Sequence, residues 1–383
     1  MNFATVELAE QDRVFAQELR AFLAAVVTED VIARDRRSGE NFAEEVHLAL
    51  GAAGYLERDF RPESDGGFTP VQRRIFELEI GRAHTPWFHW GTTAMVASAV
   101  DRFGSDDLRD EILPRVLSGH YRLCLGYTEP EGGSDVATCR TRAVRDGSGW
   151  IINGAKMFTS NAHNAHFVFL ITNTDPQAHK HQSLTMFLVP LDAPGVEIQP
   201  LRTVDGDRTN ITYYSDVRVE DRYRIGPVNG GWAVLREALN VEHGTVERDD
   251  GGLQKLATMT EHALLLAEEI DRVAGEVPSD GRLADGAVGY RLGRGIARLE
   301  AALSSPGMFG RVAIAQTLRD ITGDLMDIGG VAAAVPDGLR AEYLFRLAGP
   351  TGIYGGTLEV FRNMIAQHAL GLGRPVYAAP KRP

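Results

Sequence analysis

Cysteine is almost missing from this chain: Cys124 and Cys139 are the only two in 383 residues. That excludes a disulfide-built scaffold and leaves no cysteine spacing suited to a metal. An excess of cations is missing too. Lysine and arginine number 40 against 52 aspartates and glutamates, for a net charge of -12, and no basic stripe of the kind that tracks nucleic acid interrupts the acidic background. No apolar run approaches membrane-spanning length. Residues 1–26 are acidic and amphipathic rather than a basic start followed by an apolar stretch. Repeats and low-complexity tracts are likewise absent. The expectation is a reduced, cytoplasmic protein with no nucleic-acid partner and no membrane contact.

What is present is a hydrophobic fraction of 44%, enough to build a sizeable core over two or three domains. From Glu7 to about His120 apolar residues recur at helical spacing, as in Phe15 to Leu23, Pro70 to Arg82 and Thr92 to Phe103. Gly and Pro between Arg61 and Phe68 mark a loop. From about Tyr121 the pattern changes to short β-branched and aromatic runs: Trp150 to Ile152, His166 to Ile171, Ser183 to Val189 and Asn210 to Tyr214. After Gly230-Gly231 helical periodicity returns, through Leu253 to Val273, Val288 to Leu303, Gly310 to Ile328 and Thr357 to Leu370. This predicts an α+β chain in three parts: a helical domain over 1–120, a β domain over 121–228 and helices over 229–383.

Three segments carry chemistry. Near the C-terminus, Gly352-Ile353-Tyr354-Gly355-Gly356-Thr357 turns into Leu358-Glu359-Val360-Phe361. Thr357 can cap that helix, and its free N–H groups suit an anionic part of a ligand. Upstream, Tyr127-Thr128-Glu129-Pro130-Glu131-Gly132-Gly133-Ser134 combines a proline-fixed turn with glycines and hydroxyls. It is followed by Asn153-Gly154-Ala155-Lys156-Met157-Phe158-Thr159-Ser160-Asn161. Each alone could be an ordinary loop. In this order they resemble the acyl-CoA dehydrogenase family of flavoproteins, and the resemblance covers nearly the whole chain.

The resemblance implies an N-terminal helical domain, a small central β domain and a C-terminal four-helix bundle that mediates oligomerisation. It also implies FAD, with Tyr127, Thr128, Gly133, Ser134, Phe158, Ser160, Gly330, Thr357 and Glu359 as its contacts. Phe158 stands where tryptophan is common. The implied reaction is α,β-dehydrogenation of an acyl-CoA thioester: a carboxylate takes the α-proton while the β-hydrogen leaves as hydride. Many family members place the base just after the tyrosine of the C-terminal turn. Here that residue is Gly355, which has no side chain to take a proton.

Helical geometry offers another carboxylate. At about 100° per residue, Trp232, Leu235, Ala238, Leu239, Thr245 and Val246 share one arc with Glu242 in its middle, while Glu237, Asn240 and Glu247 lie opposite. A carboxylate on an apolar face has its pKa raised toward the range of a general base. The residues alone leave open a simple pairing of Glu242 with an arginine of a neighbouring helix. Members of the family with a displaced base carry it on this helix in a Leu-x-x-Glu-Arg setting, and Leu239-Asn240-Val241-Glu242-His243 matches all but the last residue. The resemblance therefore implies Glu242 as base. Asp249 is a weaker competitor, in a run expected to be solvated.

Other departures concern the cofactor. Val288 to Leu303 has Arg291 and Arg294 but not the Arg-x-x-Phe-Gly pattern that serves a neighbouring subunit's FAD. Met326 stands where glutamine is usual, and Leu347 where aspartate is usual. This thinning resembles actinobacterial members of steroid side-chain breakdown, which form α2β2 heterotetramers. Implied partners are an acyl-CoA of bulky, branched or steroid-derived type, an electron-transfer flavoprotein, and either three further copies or a second, related chain. Two other expectations keep the fold: a flavin-dependent monooxygenase, and a non-catalytic subunit of a heteromer. The pairs His163/His166 and His179/His181 lack a third ligand, so no metal is expected.

Overall fold

The computed structural model describes residues 7–243, 259–276, 286–305, 307–335 and 341–373. By packing, the chain divides into two compact units, Met1–Lys255 and Leu256–Pro383.

The first unit begins with seven helices: α1 (Glu10–Val26), α2 (Glu29–Ser38), α3 (Glu44–Ala52), α4 (Tyr55–Phe60), α5 (Pro70–Arg82), α6 (His89–Phe103) and α7 (Asp106–Leu117). Their starts are set locally. The hydroxyls of Thr28, Thr69 and Ser105 accept from Val31 N, Gln72 N and Leu108 N, and Pro70 occupies a first-turn position that needs no N–H. In α1, Phe15, Leu19 and Leu23 recur every four residues and are buried, which is the apolar stripe that the sequence pattern predicts.

A sheet follows, built from β1 (Leu123–Gly126), β2 (Arg142–Asp146), β3 (Gly149–Lys156), β4 (Phe167–Asn173), β5 (Leu184–Pro190), β6 (Val196–Arg202), β7 (Arg208–Glu220) and β8 (Arg224–Ile225). The strand order is β6-β7-β3-β2-β4-β5-β8, with β1 parallel to β4. Phe167 to Thr172 and Leu184 to Val189 are buried throughout, which explains why both segments read as continuous apolar runs rather than alternating ones. The β3–β7 ladder slips register between Ile152 and Gly154. Gly154 has φ +151°, and a Cβ there would come within 2.8 Å of three Thr141 atoms, so the bulge requires glycine.

α8 (Gly231–His243) packs on α6 and β5, and its Val234, Leu235 and Ala238 enter the core of the first unit. The sequence pattern grouped this helix with the C-terminal part. Its buried stripe instead clusters it with the sheet, because the apolar surface it must cover lies there.

The second unit contains α9 (Thr260–Glu276), α10 (Gly286–Leu303), α11 (Gly307–Gly329), α12 (Ala341–Thr351) and α13 (Leu358–Met364). α11 packs on each of the other four; its Ile314, Leu318, Ile321 and Leu325 form the spine of the core. α12 was not expected from the sequence. On one side of α11 a ladder of charge joins it to α10: Arg291 pairs with Asp324 and Asp327, Arg294 with Asp324, and Arg298 with Asp320, at 2.5–2.8 Å. Among the described residues no helix is long and apolar enough to cross a membrane.

Candidate cofactor and active site

The loop leaving β1 is fastened from beneath by a buried carboxylate. Glu129 exchanges backbone hydrogen bonds with Gly132 (2.9 and 3.1 Å), closing a tight turn around Pro130-Glu131. Its side chain points inward. Oε1 accepts from Lys156 Nζ at 2.8 Å, Thr141 N at 2.8 Å and Thr141 Oγ1 at 2.7 Å, while Oε2 accepts from Arg140 N at 2.7 Å. Burial by itself would raise the pKa of this carboxyl, but the Lys156 charge and these hydrogen bonds outweigh it and hold the pKa at about 2. Lys156 is fully buried and also donates to Tyr127 O at 3.3 Å. Cys139 lies against the same pair, its Sγ 3.3 Å from Lys156 Nζ.

This pair joins the two upstream motifs. Lys156 ends β3, and the next residue donates from Met157 N to Thr128 O at 2.8 Å. Tyr127 and Thr128 are half-buried beside β3, and Gly133 and Ser134 are exposed just after the turn. Beyond Met157 the chain bends sharply. Phe158 and Asn161 both have left-handed backbone, with φ 56° and 63°. Thr159 N donates to Asn210 O at 2.9 Å, and the Ser160 hydroxyl pairs with Thr209 Oγ1 at 2.9 Å. Phe158 itself is 52% exposed. A large ring held outward by a strained, well-bonded turn is presented to something other than the core.

In α8 the buried stripe of Leu235 and Ala238 continues in sequence to position 242, four residues past Ala238. The side chains of residues 240–243, Glu242 included, lie outside the described residues, as does Asp249. Trp232, expected on the apolar arc, is half-buried and stacks on His181 with ring centroids 4.2 Å apart. Glu237, expected opposite, pairs with Arg102.

In the second unit, Thr357 caps α13, its hydroxyl accepting from Val360 N at 3.2 Å. Glu359 is exposed in the first turn. Gly355 and Gly356 have φ 61° and 102°, so the residue standing where the family's base is common has a conformation that favours glycine. The turn is held by Arg311, whose guanidinium is fully buried. It donates to Thr351 O at 2.9 Å and Tyr354 O at 2.7 Å and lies over the rings of Tyr354 and Phe361. The Tyr354 hydroxyl pairs with His262 Nε2 at 2.9 Å. Burial, then the charge of Arg311, pulls the His262 pKa down to about 4, so this imidazole is neutral at neutral pH.

The expected contacts thus fall into groups. Tyr127, Thr128, Gly133, Ser134, Phe158 and Ser160 lie on the two segments of the first unit that meet where Met157 N donates to Thr128 O. Thr357 and Glu359 share the start of α13. Gly330 is exposed at the far end of α11, separated from Arg311 by roughly 28 Å of helix at about 1.5 Å per residue. Lys156 and Glu129 appeared in the sequence motifs without a role, and Arg311 and His262 were not singled out. A buried charge looks like a surface charge in sequence. The one available signal was Lys156, an unusual cation inside the strand pattern. His163 contacts Asn210 and Glu40, and His166 Nδ1 accepts from Arg122 N. Among the described residues no group of three His, Cys, Asp or Glu could hold a metal.

Comparison with known proteins identifies the family. Residues 9–120 match the model of the acyl-CoA dehydrogenase N-terminal domain, and residues 124–220 that of the middle domain. The acyl-CoA dehydrogenase IpdE1 of Mycobacterium tuberculosis is 33% identical, over 85% of this chain and 86% of its own length. Other curated relatives match over a shorter stretch, and the chain spans about three fifths of their length (62% and 61%). Among solved structures, the Tcur3481-Tcur3483 steroid ACAD superimposes with a TM-score of 0.82 at 28% identity, covering 97% of this chain and 100% of that one. The ChsE4-ChsE5 complex from Mycobacterium tuberculosis does so with 0.80 at 28%, over the same shares. The chain belongs to the acyl-CoA dehydrogenase family.

Proposed function

We propose that this protein catalyses FAD-dependent α,β-dehydrogenation of an acyl-CoA thioester with a bulky, steroid-derived acyl group, using Glu242 as base. The observation that carries this reading is that the segment with Thr128, Gly133 and Ser134 and the segment with Phe158 are joined through Glu129–Lys156 and through Met157 N to Thr128 O. Family members are FAD-dependent, and the donor set here fits that group. It offers neutral hydroxyls, exposed glycine backbone and an outward aromatic ring, which suit a planar, largely uncharged ring system with hydrogen-bonding edges. Tyr127, Thr128, Ser134, Phe158 and Ser160 would hold the flavin ring and its linker. Gly330, Thr357 and Glu359 are proposed as further FAD contacts. A bound FAD would supply the acceptor for the hydride equivalent that leaves the β-carbon.

The chain's own part is proton chemistry. In sequence Glu242 lies four residues past Ala238 of the buried α8 stripe, and a carboxylate serving as base on such an apolar arc would be desolvated, which raises its pKa toward the range that can remove an α-proton. Gly355 leaves the C-terminal turn without a competing carboxylate. That the relatives include a steroid ACAD supports a bulky acyl group, and an electron-transfer flavoprotein is the proposed oxidant. A heteromer is proposed as the working assembly. The ChsE4-ChsE5 relative is a complex, and Arg291, Arg294 and Arg298 are already engaged by aspartates of their own chain, so they are poorly placed to serve a neighbour's cofactor.

The test is anaerobic titration with straight-chain, branched and steroid acyl-CoAs, for wild type and Glu242→Gln, alone and co-purified with a related chain. Flavin bleaching by a steroid acyl-CoA in wild type only is the expected result. Bleaching retained in Glu242→Gln would remove Glu242 as base, and full FAD occupancy of the chain expressed alone would count against the heteromer.

A further inference from the structure

The turn that presents Phe158 contains two non-glycine residues in left-handed backbone, Phe158 and Asn161, a conformation that persists only where the surroundings fix it. The fixing group on one side is Asn210, fully buried on β7. It exchanges two hydrogen bonds with Thr159: Thr159 N to Asn210 O at 2.9 Å, and Asn210 Nδ2 to Thr159 O at 3.1 Å. Asn210 Nδ2 is also 3.1 Å from His163 Nδ1. On the other side Asn164 Nδ2 donates to Asn161 Oδ1 at 3.1 Å and lies 3.0 Å from His163 Nε2. The same Nε2 is 3.4 Å from Glu40 Oε1. One imidazole therefore touches the groups that fasten both ends of the turn.

We propose that His163 is a positioning residue: as a neutral imidazole anchored by Glu40, it holds Asn210 in the orientation that keeps Phe158 facing outward. With its proton on Nε2, toward Glu40, the Nδ1 lone pair accepts from Asn210 Nδ2, and Asn164 donates to Asn161 alone. A second proton would put an N–H on Nδ1 facing the Asn210 amide N–H. Asn210 must then turn its oxygen toward the ring, which removes its bond to Thr159 O. The charges facing the ring are mixed. Burial and the guanidinium groups of Arg208 and Arg202 oppose protonation, and Glu40 favours it. Buried His89, whose Nε2 lies 3.0 Å from Glu40 O, stands on the same carboxylate segment. The neutral form dominates near neutral pH, so the turn is set there and loosens on acidification.

This inference rests on the proposed flavin-facing role of Phe158 for its consequence, but not for its test. Hydrogen exchange of peptides spanning residues 157–165 is measured on the purified holoprotein at neutral and mildly acidic pH, corrected for intrinsic rates. Wild type, His163→Gln and His163→Ala are compared. Glutamine can still accept from Asn210 and does not titrate. The expected result is protection of the Thr159 N–H that falls several-fold on acidification in wild type, stays constant in His163→Gln, and is lost at both pH values in His163→Ala. Equal protection in all three proteins at both pH values would overturn the proposal. Visible circular dichroism of the flavin is recorded alongside. A turn that loosens while that spectrum stays fixed would uphold the role of His163 and remove Phe158 from the flavin site.

Discussion

Two turns in this protein are each fastened by one buried charged side chain, and they are held in opposite ways. The Tyr127–Ser134 turn depends on a side-chain carboxylate, Glu129, locked to Lys156 and three further donors. The Gly352–Thr357 turn depends on a side-chain cation, Arg311, which grips the backbone carbonyls of Thr351 and Tyr354. In the first case both partners are specific residues, and neither can change alone without stranding the other's charge. In the second the acceptors belong to the main chain, so the grip itself does not depend on which side chains they carry.

The comparison can be broken experimentally. Lys156→Met leaves Glu129 buried without its cation, and the expected cost is about 3–5 kcal/mol. Thermal unfolding should show a large loss of stability in that variant and partial recovery when Glu129→Gln is added. No recovery would mean that the pair is not the unit that holds the loop. Arg311→Leu removes donors from two carbonyls, with an expected loss of about 2–4 kcal/mol. The loss should be accompanied by faster hydrogen exchange in peptides covering residues 351–361. Because the turn's two acceptors are main-chain carbonyls, no side-chain replacement at Thr351 or Tyr354 is expected to restore stability. Finding one would erase the contrast between the two turns. The smallest effect is expected from Thr357→Ala, which deletes the α13 cap for about 1 kcal/mol. A wild-type denaturation midpoint in that variant would show that Arg311 alone sets the helix start.

Much of the fold was legible. The strand segments at Trp150, Phe167, Leu184 and Asn210 announced themselves through β-branched and aromatic runs, and the structure places β3, β4, β5 and β7 there. β6 escaped because Val196 to Arg202 carries Pro200 and is mostly exposed, so it shows little apolar alternation. α12 escaped because it is short, carries Pro350 in its last turn and is followed by a glycine-rich turn. In the candidate site, the turn residues and the cap at Thr357 were legible because capping and turn chemistry are local. The fasteners were not. Glu129 and Lys156 are 27 residues apart and Arg311 and Tyr354 are 43 apart, and nothing in the spacing of either pair predicts contact. His163 read as one member of an isolated histidine pair, and only the approach of β7 and the α2–α3 connection gives it Asn210 and Glu40 as partners.

The sequence by itself determined the order of helices, sheet and helices, the turns with their glycines and hydroxyls, and the loss of a carboxylate at position 355. Those follow from periodicity, propensity and side-chain chemistry, which act within a few residues. Tertiary structure decided which charges are buried and which residues they grip, and it assigned α8 to the sheet-bearing unit. Burial and long-range pairing exist only once distant segments have packed, because desolvation, not residue type, turns an ordinary lysine or arginine into the clamp of a turn.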